Sequence, residues 1–443
     1  MKVPRRTHAV RSSLKFSVLD GAAYAAMLGL VQNYITPLAL ELKATTSQIG
    51  LLTSLPQLVV GFSQLAAPHL SERAGSRKGL ILPMVFMHAF MYIPILLIPF
   101  IMSGNQVWWL IAFVTVSTAF GAIANPAWGS LMADLVPIRL RGRYFSARGR
   151  IAGTITLVFT FAAGGLLQIL TDTPFIGYAV LLGGAAAFRW LSLYFLSRMY
   201  EPETEDNGDN DRSVFHMVSH VGASNLGRFT VYVALICFAA NLASPFFSVY
   251  MLRDLSFSYL TYTIIISSAS ISSLVFLTYW GRRADIAGNM KVIKVTSCLL
   301  PIVPVLWLAS SNVYYLVFAE IVSGFAWSGF NLAAVNFVYD ASEDQNRTKH
   351  IAVFNAITCL ATFTGAIIGG YLAPHLPALL GYQLRTLFTI SGVCRGIVVI
   401  LMLRMLAEVR HVPSISLSRF LMGRPGFPAD SAEHTRHRDY NGR

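Results

Sequence analysis

Twelve apolar runs, each long enough to cross a bilayer, take up most of this 443-residue chain. A spanning helix needs about twenty mostly apolar residues. The runs fall at 15–40, 47–70, 79–102, 107–133, 143–170 and 175–199, then at 226–252, 257–281, 291–311, 313–339, 350–374 and 383–406. In hydrocarbon, every backbone N–H and C=O must be satisfied within the protein, which leaves only helices or closed barrels. Continuous runs of this length select helices. The expected fold class is an all-α integral membrane protein with about twelve transmembrane helices in two pseudo-symmetric six-helix halves. Charge content agrees, because Asp, Glu, Lys and Arg make up only 12% of residues. That is about half the share in a soluble domain.

Polar stretches divide the chain into five parts. Residues 1–14 form a basic tail, and the apolar run after it reaches Leu40, too long for a cleaved signal segment. Residues 15–199 make the first half and 226–406 the second. Between them, 200–225 contains EPETEDNGDNDRS, acidic and without apolar periodicity, which reads as a linker. The tail, 407–443, is rich in Pro, Gly and Ser and is expected to be disordered.

Basic residues orient the chain. Among 34 Lys and Arg, only Lys43, Arg253 and Arg385 fall on one side, Arg189 and Arg395 lie within apolar runs, and the others accompany the termini and linker. Positive charge marks the cytoplasmic side, so both termini are expected to be cytoplasmic and the plasma membrane is the expected location. The net charge of +13 does not point to nucleic acid, since it is scattered between apolar runs. Cys237, Cys298, Cys359 and Cys394 sit far apart inside such runs, without disulfide or metal spacing. No cofactor or metal is expected, and the chain is expected to be a monomer.

The halves echo each other. Asp134 and Asp340, Arg141 and Arg347, Arg189 and Arg395, and Arg198 and Arg404 are each 206 residues apart. Two short charged stretches, LSERAGSRKG (70–79) and GRRADIAGNMK (281–291), share an acid-x-x-Gly spacing, Glu72 to Gly75 and Asp285 to Gly288. Repeated halves with a site at their interface are common in transporters.

Two halves of six helices, a central linker and this loop between the second and third helices resemble the major facilitator superfamily. Its loop motif runs roughly Gly-x-Leu-x-Asp-Arg-x-Gly-Arg-Arg/Lys; the chain matches at Leu70, Arg73, Gly75 and Lys78, and approximately at Glu72. The second copy keeps Gly281, Asp285, Gly288 and Lys291, with Arg283 and Ile286 as departures. DLVPIRLRGRYFSARGR (134–150) also resembles the family's loop between helices four and five. The resemblance covers roughly 15–406 and implies a secondary transporter working by alternating access on a small organic solute, with protons as the candidate coupling ion. It further implies a cytoplasmic latch of Glu72, Arg73, Gly75, Arg77, Lys78, Asp134 and Arg141, with Asp285, Gly288, Lys291, Asp340 and Arg347 in the second half. The alternative is that these charges only fix topology.

In this family the first and fourth helices of each half line the cavity. Their polar and aromatic positions are therefore candidate solute contacts: Tyr24, Gln32, Asn33, Tyr34, Asn125, Trp128, Asn241, Tyr250, Trp327, Asn331 and Asn336. Amides and indoles at membrane depth favour water or a ligand over lipid, although interhelical bonding would also satisfy them. Glu320, an intramembrane carboxylate in the tenth run, is the candidate for proton coupling. Arg189 and Arg395, in peripheral sixth helices, are expected to be structural and to pair with carbonyls or amides. His88 is expected to be structural too.

Gly-x-x-x-x-Gly-Lys-Ser/Thr, His-Glu-x-x-His and Gly-x-Ser-x-Gly do not occur in the sequence, so neither ATP-driven transport nor enzymatic chemistry is expected. The rival from another class is a transporter-like sensor or scaffold. The fifth helix carries FAAGGLL and the eleventh GAIIGG, each lacking the Gly-Pro of drug–proton antiporters, so their usual mark of efflux is missing.

Overall fold

The structure is a computed structural model describing residues 3–73, 75–137, 140–202, 224–342, 347–410 and 412; the side chains of 3–8, 64–73 and 347–349 lie outside the description. Twelve helical units follow in order. The first half has α1 (Val3–Val31, continuing as Ile35–Glu41), α2 (Thr46–Arg73), α3 (Arg77–Ile101), α4 (Gln106–Leu135), α5 (Arg141–Ile169) and α6 (Pro174–Ser197). In the second half, α7 is Asn225–Asn241, continuing through Phe246–Val249 and a π-helical turn, Tyr250–Asp254. It is followed by α8 (Tyr259–Ala287), α9 (Asn289–Leu299, then Ile302–Ala309), α10 (Val313–Ala341), α11 (Arg347–Leu372) and α12 (Gln383–Met402). Among the described residues, eleven of the units meet the length and hydropathy of a membrane span. The remaining one, α2, has 28 residues.

Helix starts are written locally. Ser76 Oγ accepts from Gly79 N, Ser224 Oγ from Gly227 N and Asn312 Oδ1 from Tyr314 N, at 2.8, 3.0 and 2.9 Å, each satisfying an N–H that has no partner within the helix. Helix breaks are written by proline, which cannot donate to the carbonyl four residues back. Pro37 frees the carbonyl of Asn33, and Tyr262 Oη in the other half donates to it at 2.8 Å. Pro304 frees that of Leu300, and Arg395 Nη1 donates to it at 3.0 Å. A broken helix in a membrane must be repaired by neighbours; here the repairs tie helices together.

Three apolar cores show how the halves meet. Met27, Tyr34, Leu38 and Ile49 of the first half pack in one core with Phe246, Tyr262, Trp307 and Phe388 of the second. This shared core lies at the end remote from the termini. At the terminus end there are two separate cores, one around Leu80, Leu131 and Leu196, the other around Phe229, Trp280 and Phe337. Among the described residues, the halves thus share one core at the far end and have separate cores at the terminus end.

Candidate functional site

Where the halves fuse, small residues allow close approach. A Cβ on Gly164 of α5 would collide with Thr263 of α8, and one on Gly50 of α2 would collide with the Ala366 carbonyl of α11. Hydroxyls then cross the seam. Tyr34 Oη lies 2.8 Å from Thr263 Oγ1 across the seam and donates to Thr160 O of its own half at 2.6 Å. Tyr259 Oη donates to Glu41 Oε1 and receives from Tyr178 Oη at 3.1 Å. Ser47 Oγ donates to Gly370 O at 3.1 Å.

Beneath this closure lies a cavity of about 420 Å³, walled by Gln32, Asn33 and Thr156 of the first half and by Ser270, Ser323 and Trp327 of the second. A second cavity, about 510 Å³, lies within the first half among α1, α2, α3 and α4; its polar wall includes Tyr24, Gln32, Gln57, His88, Tyr92 and Asn125. Gln32 belongs to both walls. Off the second cavity, sharing Tyr24 and Asn125, sits a pocket of about 100 Å³ lined also by Asp20, Trp128, Arg148 and Arg189. A cavity between two repeated halves is a common arrangement in transporters. The Major Facilitator Superfamily model matches residues 19–240 and, again, 229–430. The chain belongs to the major facilitator superfamily.

Solved superfamily structures share its fold at low sequence identity. The nucleoside transporter NupG aligns at TM-score 0.67 and 14% identity, over 90% of this chain and 98% of its own. The D-xylose–proton symporter aligns at 0.66 and 12%, over 90% and 98%. A bacterial homologue of the human lysosomal transporter Spinster, inward-facing and occupied, aligns at 0.62 and 14%, over 94% and 100%. No curated protein sequence matches the chain. Superfamily membership makes this a multi-pass membrane protein of a transporter family and not an enzyme.

Among the expected solute contacts, Gln32, Asn33 and Trp327 wall the central cavity, while Tyr24, Asn125 and Trp128 wall the spaces within the first half. The others lie elsewhere. Tyr34 is buried in the seam. Tyr250 is buried and receives a bond from Arg385 Nε at 2.9 Å. Asn241 Nδ2 donates to Cys237 O within its own helix, at 2.9 Å. Asn331 and Asn336 follow Trp327 toward the terminus end, outside these walls, the former exposed and the latter half-buried. Glu320 is half-buried beside Trp307, one turn from Ser323 toward the fused end.

Sequence reasoning missed the α8 serines and the Asp20–Arg148 pair. SSASISS (267–273) puts five hydroxyls into about two turns of an apolar helix, and that density is the signal. Asp20 reads as a helix-end charge by counting, but α1 begins at Val3, so it lies well inside the helix.

At the terminus end the two charged turns repeat one design. Gly75 and Gly288 both have positive φ, 65° and 85°, which suits glycine. Arg77 pairs with Asp134 at 2.7 Å, while Glu201 Oε1 accepts from the Arg77 backbone N–H at 2.6 Å. In the second half, Asn289 Nδ2 donates to Asp340 Oδ2 at 2.6 Å and Glu408 Oε2 accepts from Met290 N at 2.8 Å. Each half thus places a carboxylate from beyond its sixth helix on the N-terminus of its third, where the helix dipole favours it. Arg410 adds a 2.9 Å pair to Asp340. Arg141 Nη2 and Nε donate to Ala133 O and Val136 O, and Lys78 Nζ to Ser197 O and Met199 O. These bonds stay within a half. Asp285, in the last turn of α8, is exposed and Lys291, in the first turn of α9, is half-buried, while the side chains of Glu72, Arg73 and Arg347 lie outside the described residues.

A Cβ at Gly75 meets nothing within 4 Å, so Gly75→Val strains the backbone without a collision. Left-handed conformation costs an L-residue about 1–2 kcal/mol. Transport is expected to slow by up to about tenfold, with membrane abundance nearly unchanged, as rates in proteoliposomes normalised to inserted protein would show. A full rate would remove the turn from the mechanism.

Proposed function

We propose that this protein is a secondary active transporter that moves a small organic solute by alternating access, with protons as the coupling ion. The observation that carries the reading is the asymmetry of the interface, with one shared core at the far end and two separate cores at the terminus end. A cavity between the halves that is sealed at one end becomes a transport path if the seal and the opening exchange ends. Basic residues concentrated with the termini support a cytoplasmic location for that end and a plasma-membrane protein, and on this reading the cavity faces inward. Gln32, Asn33, Trp327 and the serines of α8 and α10 then form the central binding surface, with Tyr24, Asn125 and Trp128 extending it. The charged turns form the joint that engages when the cytoplasmic end closes. The domain limits follow the five parts read from the sequence, and the monomer is the working unit.

The test locks the seal. Leu260 N lies 3.4 Å from Gln168 Oε1 across the seam. With the four native cysteines replaced, a Gln168→Cys/Leu260→Cys pair is expected to cross-link and arrest proteoliposome uptake, with recovery on reduction. Full uptake by the cross-linked protein would overturn alternating access. Failure of the unlinked protein to take up any solute would favour a sensor.

A further inference from the structure

Arg189 and Arg395 occupy equivalent positions, 206 residues apart in sixth helices, and both are buried. Their surroundings are not equivalent. Arg395 spends its Nη1 and Nη2 groups on the carbonyls of Leu300 and Ala240, at 3.0 and 3.4 Å, one of which Pro304 left without a helical donor. Its role is to repair α9. Arg189 makes no such repair: its Nη1 donates to Ser192 Oγ at 3.0 Å, and it lines the pocket with Asp20 and Arg148. The position corresponding to Arg148 holds Phe354, stacked on Phe229, so the fold itself does not require these charges.

The pocket is short of negative charge. Asp20 is buried; its Oδ2 pairs with Arg148 Nη2 at 3.3 Å and its Oδ1 accepts from Ser192 Oγ at 2.6 Å. Two guanidinium groups thus share one carboxylate. Donors remain over: Arg189 is 6% exposed and its Nε, like that of Arg395, has no hydrogen-bond partner, and here a second spare donor, Trp128 Nε1, lines the same pocket. Buried donors left unmade are costly, those on a charged group most of all. Aromatic faces hold both cations in place, Trp128 at 4.5 Å from the Arg148 guanidinium and Tyr24 at 4.7 Å from that of Arg189.

We propose that this pocket receives the acidic group of an organic monoanion whose apolar body occupies the adjoining cavity. An acid group accepts the spare N–H bonds and balances the excess cation, which a neutral group cannot do. The pocket's volume of about 100 Å³ suits a head group alone. The larger cavity, reached past Tyr24 and Asn125, is walled mainly by apolar side chains such as Met27, Val31, Ile95 and Val114, and it takes the body. This names the solute class for the transporter reading and rests on that reading only for the step of translocation.

Full-length protein in neutral phosphatidylcholine nanodiscs is titrated with benzoate, 3-phenylpropionate and indole-3-acetate, each beside its primary amide. At least one acid is expected to bind about tenfold or more tightly than its amide, the worth of one charge-assisted bond. Arg189→Gln is expected to erase the preference. Asp20→Asn is expected to strengthen acid binding, a sign that a merely structural cluster would not give. Arg395→Gln is expected to lower thermal stability and keep the preference. Should Arg189→Gln not fold, Trp128→Phe removes the other spare donor and is expected to weaken the acids severalfold and the amides not at all. Equal binding of acids and amides, no binding at millimolar concentration, or a preference that survives Arg189→Gln would overturn the proposal. Displacement of the acid by added phosphatidylglycerol would overturn it too, assigning the pocket to a lipid head group. Binding is read without a gradient, so acid preference in a protein that moves nothing would sink the transport reading alone.

Discussion

Gly164→Val is expected to reduce solute counterflow in proteoliposomes by about a hundredfold while leaving the protein folded and inserted. A Cβ at this position would collide with Thr263 Oγ1 across the seam. Neither residue can yield easily, because Thr263 also bonds Tyr34 and the Tyr259 carbonyl. Overpacking of this kind costs about 1–3 kcal/mol. Here the cost falls on one state only, the one with the far end sealed. About 3 kcal/mol on one side of a two-state balance shifts it by about a hundredfold. The seal itself is of similar strength: the five hydroxyl bonds that cross it, at about 0.6 kcal/mol each in a membrane interior, sum to about 3 kcal/mol. A Gln168→Cys/Leu260→Cys pair, on the cysteine-free background, reports the shift directly and should cross-link far less in the Val variant. Gly164→Ala should fall between. Normal counterflow with undiminished cross-linking would show that α5 and α8 part here without consequence.

That glycine was visible in the sequence, but its meaning was not. FAAGGLL and GAIIGG read in the sequence as incomplete family marks, whereas in space Gly164, Gly365, Gly369 and Gly370 are points where two helices touch. The architecture was legible because it depends on length and hydropathy, which are summed along the chain. Twelve runs become twelve helical units, and the glycine of each acid-x-x-Gly stretch takes a positive φ between two helices. Helix ends were less legible: α8 runs on to Ala287 and leaves Gly288 alone as the turn, because helices project beyond the hydrocarbon that hydropathy senses. The site was legible only by helix. Choosing the first and fourth helices of each half found Gln32, Asn33 and Trp327 in the central wall. It also chose Asn241, whose amide bonds the Cys237 carbonyl of its own helix, because composition does not say which way a side chain faces. The 206-residue echo paired Arg189 with Arg395 correctly in position and misled about their equivalence. One lies against a proline break and the other against a carboxylate, and only tertiary structure separates them.

Glu320→Gln is expected to abolish solute accumulation driven by a pH gradient while sparing exchange. Ser323 and Gly324 wall the central cavity, and Glu320 lies on α10 about 5 Å further toward the sealed end. A group there is shut off while the far end is closed, and an opening on that side would expose it. That alternation is what a coupling carboxylate needs: it must exchange protons with each compartment in turn. Gln keeps the shape and most of the hydrogen bonding, so it isolates the ionisation. Counterflow involves no net proton movement and should remain near the wild-type rate, whereas gradient-driven accumulation should fall to the equilibrium level. Both are read in the same liposomes, with the same solute, so loss of protein affects them alike and loss of coupling does not. Wild-type accumulation by the Gln variant would remove Glu320 from the mechanism. Coupling would then fall to Asp20, a buried carboxylate inside α1, whose proton would be exchanged against Arg148 rather than against the seal. The same pair of assays on Asp20→Asn distinguishes the two: accumulation lost there and kept in Glu320→Gln places the proton at the terminus end of the first half. Accumulation kept in both variants means that the solute moves down its own gradient or with another ion.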